Sequence, residues 1–125
     1  MGPVTCPFCN YGPDDIVLEN EFAYARLDKY PVSPGHLLII PIRHIPSLFE
    51  ATTGELTAFW ELISRAKQVL NERYSPDGFN IGINDGESAG QTIMHLHIHI
   101  IPRYRGDMDD PRGGVRGVIP EKQRY

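Results

Sequence analysis

Residues 91 to 103 read Gln91-Thr92-Ile93-Met94-His95-Leu96-His97-Ile98-His99-Ile100-Ile101-Pro102-Arg103 and hold three of the chain's five histidines, at every second position. Leu96, Ile98 and Ile100 fill the alternate positions. Strict alternation predicts a β-strand, which sends residues i, i+2 and i+4 to one face. His95, His97 and His99 are therefore expected along one side of a sheet, with the apolar residues packed on the other. Pro102 is expected to end the strand, because it has no N–H for the ladder. Three imidazoles in register admit three readings. One is a polar sheet face that uses histidine, and one is a metal site, since imidazole is the commonest metal ligand. The third is catalysis by a neutral imidazole nucleophile beside anion-binding neighbours.

Working outward, Phe79 to Asn84 alternates again and predicts a strand, with Asp85 to Gly90 as the loop between. Upstream, Thr52 is a good helix N-cap and Glu55 completes a capping box. Leu56, Phe59, Trp60, Ile63, Ala66, Lys67 and Leu70 then recur at helical spacing, which predicts an amphipathic helix to about Tyr74. Phe59 and Trp60 suit core or a subunit contact better than a cofactor site. Ser75-Pro76-Asp77-Gly78 is the stop. His36 to Ile40 is a continuous apolar run closed by Pro41, as in a central strand buried on both faces. Ile16 to Leu18 and Phe22 to Leu27 read as two short strands around a turn at Glu19-Asn20-Glu21. Five short strands beside one long helix and a short one give an α+β fold with a mostly antiparallel five-stranded sheet.

Cys6 and Cys9, the only cysteines, form a C-x-x-C. A thioredoxin-like pair lacks its βαβ setting here. Half of a tetrahedral metal site, or two unrelated thiols, remain open. The chain of 125 residues is expected to be one domain, with 1–15 as an N-terminal arm and 104–125 as a C-terminal tail. Hydrophobic residues are 41% and charged residues 22%, so disorder is not expected. The net charge of −4 argues against non-specific nucleic-acid binding. No apolar run approaches the roughly 20 residues of a membrane span, and the start lacks a signal-peptide pattern. A cytoplasmic location is the default expectation. Residues after Pro102 are rich in Arg and Gly without periodicity, which suits a loop across a surface or a partner subunit, or a solvated tail.

His95-Leu96-His97-Ile98-His99-Ile100-Ile101 matches the His-φ-His-φ-His-φ-φ signature of the histidine triad (HIT) family, where φ is apolar. Asn84 to Thr92 and Pro34-Gly35-His36 to Pro41 resemble that family too, and the likeness runs from about Phe22 to Arg103. It implies a HIT-like fold, a homodimer whose sheet continues across two subunits, and attack on a nucleotide α-phosphate. It casts His97 as the nucleophile, with His99 and His36 on the phosphate oxygens. Gly90, Gln91 and Thr92 would donate to the phosphate or leaving group, and Asn84 to phosphate or ribose. Asp28 would accept the ribose hydroxyls, and Phe8 and Leu27 could flank the base. Zinc-binding relatives such as galactose-1-phosphate uridylyltransferase pair a C-x-x-C with two histidines. By that likeness Cys6, Cys9, His44 and His95 form a structural Zn²⁺ site. His99 stands where the uridylyltransferases have Gln, which favours hydrolysis over transfer. Arg103 to Asp107 resembles the branch that cleaves dinucleoside polyphosphates. The expected function is a nucleotidyl hydrolase working through a covalent nucleotidyl-histidine. A nucleoside phosphoramidase, a non-catalytic nucleotide-binding module and a metallohydrolase using all three triad histidines are the alternatives.

Overall fold

The computed structural model describes residues 5–125, so the first four residues of the expected arm lie outside the described residues. Five strands form one sheet: β1 (Leu18–Glu19), β2 (Ala23–Leu27), β3 (Leu37–Pro41), β4 (Gly78–Ile83) and β5 (Ile98–Arg103). Their order is β1-β2-β3-β5-β4, and every pairing is antiparallel. The long helix α1 spans Thr53–Tyr74. Elsewhere the helical segments are short 3-10 turns. Among the described residues no helix is long and apolar enough to cross a membrane.

β3 explains the architecture. Its residues are all buried, as the unbroken apolar run demands. Leu37 and Ile39 join Ala23, Ala25, Ile98 and Ile100 beneath Phe59, Leu62, Ala66 and Leu70 of α1. Leu38 and Ile40 face the other way and meet Tyr24, Phe8 and Cys6. Each fully buried Leu or Ile contributes about 1.5–3 kcal/mol, so both faces of β3 are well anchored. The N-terminal arm thus covers the β2–β3 half of the face opposite α1. Tyr11 stacks on Tyr24 with ring centroids 4.0 Å apart, and the Tyr24 hydroxyl donates to the Phe8 carbonyl at 2.7 Å.

α1 begins where the capping box predicts. Thr52 Oγ1 accepts from the Glu55 N–H at 3.1 Å, and Glu55 returns a carboxylate to the Thr52 N–H at 2.9 Å. The same buried carboxylate takes Arg43 Nη2 at 2.7 Å. The buried stripe differs from the predicted one. Phe59, Ala66 and Leu70 are inside, joined by Ala58 and Leu62, while Leu56 and Trp60 are exposed. The helix rolls so that small Ala58 and Ala66 meet the bulky sheet residues. This leaves Trp60 at 67% exposure among the described residues.

Two strand boundaries also depart from expectation. β5 starts at Ile98, because its pairing with β3 ends at Ile39 opposite Ile98, and the Leu96 N–H turns instead to the Ile45 carbonyl at 2.7 Å. Of the triad only His99 lies in the ladder. Pro102 does not end the strand, for it pairs opposite Phe79. Its carbonyl accepts from Ser33 Oγ at 2.6 Å, so its missing N–H faces away from β4 and costs the ladder nothing.

Gly35 sits just before His36 at φ +88°, and a Cβ there would lie 2.9 Å from the Tyr74 ring. Gly35→Ala should therefore destabilise the fold by about 1–3 kcal/mol in denaturant unfolding, whereas an unchanged midpoint would contradict this packing.

Candidate active site and metal centre

Two polar clusters lie along the face of the sheet opposite α1. The first gathers Cys6, Cys9, His44 and His95, whose ligand atoms all lie within 4.8 Å of one another. A tight turn presents the two thiols, with the Cys9 and Asn10 N–H groups both donating to the Cys6 carbonyl at 3.2 Å. Cys6 Sγ lies 3.4 Å from His95 Nδ1, and Cys9 Sγ lies 3.1 Å from His44 Nδ1. The two imidazole Nδ1 atoms are 3.1 Å apart. Bonds of about 2.0 Å to nitrogen and 2.3 Å to sulfur imply tetrahedral edges of about 3.3–3.8 Å, so the four residues fit one small cation closely. The tautomer fits too. His95 Nε2–H donates to the Pro41 carbonyl at 2.7 Å, which leaves Nδ1 with its lone pair facing the thiols. No disulfide joins Cys6 and Cys9. Four protein ligands close the site, so the group it holds would be structural rather than water-activating.

The second cluster is a chain of histidines. His97 Nδ1 lies 2.9 Å from the His95 carbonyl oxygen. A carbonyl only accepts, so Nδ1 carries the proton and Nε2 is left bare. His36 Nδ1 accepts from the Val32 N–H at 3.0 Å, which puts the His36 proton on Nε2. That proton points at His99 Nδ1, 2.9 Å away, and leaves the His99 proton on its own Nε2. The result is one imidazole with a free lone pair beside one with a free N–H, their ring centroids 5.1 Å apart. That is the pairing a nucleophile and an oxyanion donor require.

Burial disfavours the charged form of the two linked imidazoles, His36 and His99. It pushes His99 down to about 4, helped by the charges of His97 and His36 and opposed by Asp28. Burial likewise lowers His36, again opposed by Asp28. The Asp28 carboxylate lies 3.4 Å from His36 Nε2 and accepts from the Tyr30 N–H at 2.9 Å. Asp28, His36 and His99 could on proximity alone hold a cation. The His36 tautomer disfavours this, since Nε2 keeps its proton while Val32 occupies Nδ1. Nor do the three triad rings converge on a point, because His95 turns its lone pair to the cysteines.

Several of the predicted residues are engaged by the protein itself. His36 is 2% exposed, and both its ring nitrogens have protein partners, the Val32 N–H and His99. Gln91 is also buried, and its side chain is spent on the loop. Its Oε1 accepts from the Gly86 N–H at 2.8 Å, and its Nε2 donates to the carbonyls of Pro46 and Ile93 at 2.8 and 3.1 Å. The Gly90 N–H is taken by the Glu87 carbonyl, and its φ of +96° shapes that loop. Thr92 is exposed just beyond and makes no protein hydrogen bond among the described residues. Asn84 is half-buried at the exit of β4, its amide about 4 Å from where a Gly90 side chain would begin.

Leu27 does not flank the site. It shares its strand face with Ala23 and Ala25, which pack under α1, and a shift of one residue in a strand reverses the side. On β2 the histidine face carries Tyr24 and Arg26, and the Arg26 guanidinium lies 5.9 Å from the Phe8 ring centroid and 3.4 Å from the Asp15 carboxylate. Sequence reading missed it, although its parity with Tyr24 was there to be used. Phe8 is buried with its ring edge-on to His97 at 5.0 Å, so it braces the imidazole from the metal side.

The chain as a whole is similar to known proteins. Residues 11–106 match the HIT domain family, and the chain belongs to it. Over 96 residues it is 38% identical to a bis(5'-adenosyl)-triphosphatase from Dictyostelium discoideum, covering 77% of this chain and 64% of that one. Over 95 residues it is 44% identical to an asymmetrical bis(5'-nucleosyl)-tetraphosphatase from Schizosaccharomyces pombe, covering 76% of this chain and 52% of that one. The chain thus spans between half and two thirds of the length of these curated relatives. The crystal structure of a Zn-bound histidine triad family protein from Mycobacterium smegmatis superposes with a TM-score of 0.75 at 33% identity, covering 85% of this chain and 80% of that one.

The His99 shift fixes a pH dependence. Its folded value, about 4, lies below the unfolded value near 6.5. Between these the unfolded chain binds more protons, so stability rises with pH across this window and is lost as pH falls. Thermal melts from pH 7 to 4 should show that fall, and His99→Asn should flatten it; an equal slope in both proteins would contradict the assignment.

Proposed function

We propose that this chain is a nucleotidyl hydrolase that cleaves dinucleoside polyphosphates at an α-phosphate through a covalent His97 adduct. The observation that carries the reading is the His97 Nδ1 to His95 carbonyl contact of 2.9 Å, which commits the ring to a bare Nε2. In the first step Nε2 attacks phosphorus, the P–N bond forms, and the P–O bond to the departing nucleoside polyphosphate breaks with its electron pair. The His99 N–H, held by His36, bonds the phosphate oxygens as charge develops. Water then attacks the same phosphorus and gives up a proton to solvent, the P–N bond breaks with its electron pair returning to Nε2 of His97, and the nucleoside monophosphate leaves. On this reading Asp28 takes the ribose hydroxyls, Phe8 borders the base, and Asn84 with Thr92 meets the phosphate chain. The names of the two relatives support this substrate class.

The cation in the cysteine–histidine site is Zn²⁺ in this proposal. It supplies no reaction chemistry but pins the arm to the segment that carries His95 and leads into β5. Cys6 and Cys9 form no disulfide, which suits a reducing compartment, and the cytoplasm is the compartment we assign. We also assign a homodimer. β4 is an edge strand whose Ile81 is exposed, and Leu56 and Trp60 lie bare on α1, which together offer an apolar partner face.

Two measurements test this. Wild-type protein incubated with diadenosine tetraphosphate should release AMP, and His97→Ala should lower kcat by at least about 10³-fold. Rapid turnover of adenosine 5′-phosphoramidate with none of the dinucleotide would transfer the reading to a phosphoramidase, and AMP binding with neither turnover to a binding module. For the metal, elemental analysis should find one zinc per chain. Cys6→Ser should lose it and lower the melting temperature by at least about 5 °C, while a protein that melts identically without zinc would sink the structural assignment.

A further inference from the structure

Beyond β5 the chain folds back on itself. Arg116 Nη2 donates to the Lys122 carbonyl at 3.0 Å, Gln123 Nε2 to the Arg112 carbonyl at 3.4 Å, and Arg124 Nη1 to the Asp110 carbonyl at 3.0 Å. Gly113 holds φ +89°, and a Cβ there would collide with the Gln123 carbonyl. The segment is therefore a preformed loop, and it lies outside the 11–106 span that matches the family. It faces the β4–β5 end of the histidine face across a cavity of about 420 Å³.

Val115 and Val118 form the loop wall of that cavity, Ile101 lines it from β5, and His99 sits at one end. Asn80 and Asn84 supply amides. Asn80 Oδ1 already accepts from Arg103 Nη1 at 2.7 Å, and its NH₂ lies beside Gly114. Apolar walls with a few placed amides, at this volume, are what a nucleoside-sized ligand needs.

Its position gives the cavity a role, which rests on the hydrolase reading above. His99 borders it and the nucleophile His97 does not. β5 runs on from His99 to Ile101, so the cavity is displaced along the strand away from His97. In-line displacement puts the leaving group opposite the nucleophile, with the phosphate donor between. We propose that this cavity seats the nucleoside of the departing half of a dinucleoside polyphosphate, and that Val115 and Val118 set the preference for that half.

The test fills the cavity. Val115→Trp and Val118→Trp replace largely exposed residues, so both should fold, and thermal melts check this. For each variant the KM for diadenosine tetraphosphate is divided by the Kd for AMP, which occupies only the side that His97 attacks. The proposal expects this ratio to rise at least about tenfold over wild type. A smaller rise in both variants overturns it. If one variant fails to fold, the other decides. A wild type that binds AMP yet never cleaves the dinucleotide removes the hydrolase reading itself, an outcome distinct from normal wild-type turnover with an unmoved ratio.

Discussion

His95 works in three directions at once. Its Nδ1 faces the two cysteines and His44, its Nε2–H bonds the Pro41 carbonyl at the end of β3, and its own carbonyl takes the Nδ1 proton of His97. The N-terminal arm, the central strand and His97 are therefore tied to a single buried residue. A cation on Nδ1 would restrain the ring, and the Pro41 bond fixes its tautomer. The peptide that follows is then held where its carbonyl can orient His97. A structural site and a reactive site share one residue without sharing an atom.

The same economy governs the charge. The chain is acidic overall, at −4, yet the proposed ligand is an anion. Neutral imidazoles resolve the conflict, because burial holds His36 and His99 uncharged and presents N–H dipoles in place of cations. Asp28 opposes that burial without overcoming it. A protonated pair would attract phosphate more strongly but could not keep the ordered proton chain from Val32 through His36 to His99.

Much of this was legible in the sequence. The period-two histidines, the apolar run of β3 and the Thr52–Glu55 capping box led to the sheet, its centre and the helix start, because each is a local rule that the fold obeys. What escaped depends on neighbours. The strand face of Leu27 is a matter of register, and Arg26 took its place. The exposure of Trp60 depends on how α1 rolls against the sheet, which helical spacing alone leaves undetermined by one stripe. Gln91 and His36 were expected at the substrate from the family resemblance, and their protein partners, main-chain groups of a folded loop and His99, depend on the tertiary fold and could not be read from that resemblance. The C-terminal loop lacked any pattern, since its order comes from side chains capping main-chain carbonyls rather than from a repeat.

The central claim is the proton placement: His97 protonated at Nδ1 and bare at Nε2, with His36 protonated at Nε2. Long-range proton–nitrogen correlation NMR of the ¹⁵N-histidine-labelled protein near neutral pH reads both tautomers directly. The account predicts an Nδ1–H imidazole for His97 and an Nε2–H imidazole for His36. An Nε2–H tautomer at His97 would leave no lone pair for phosphorus and would contradict it.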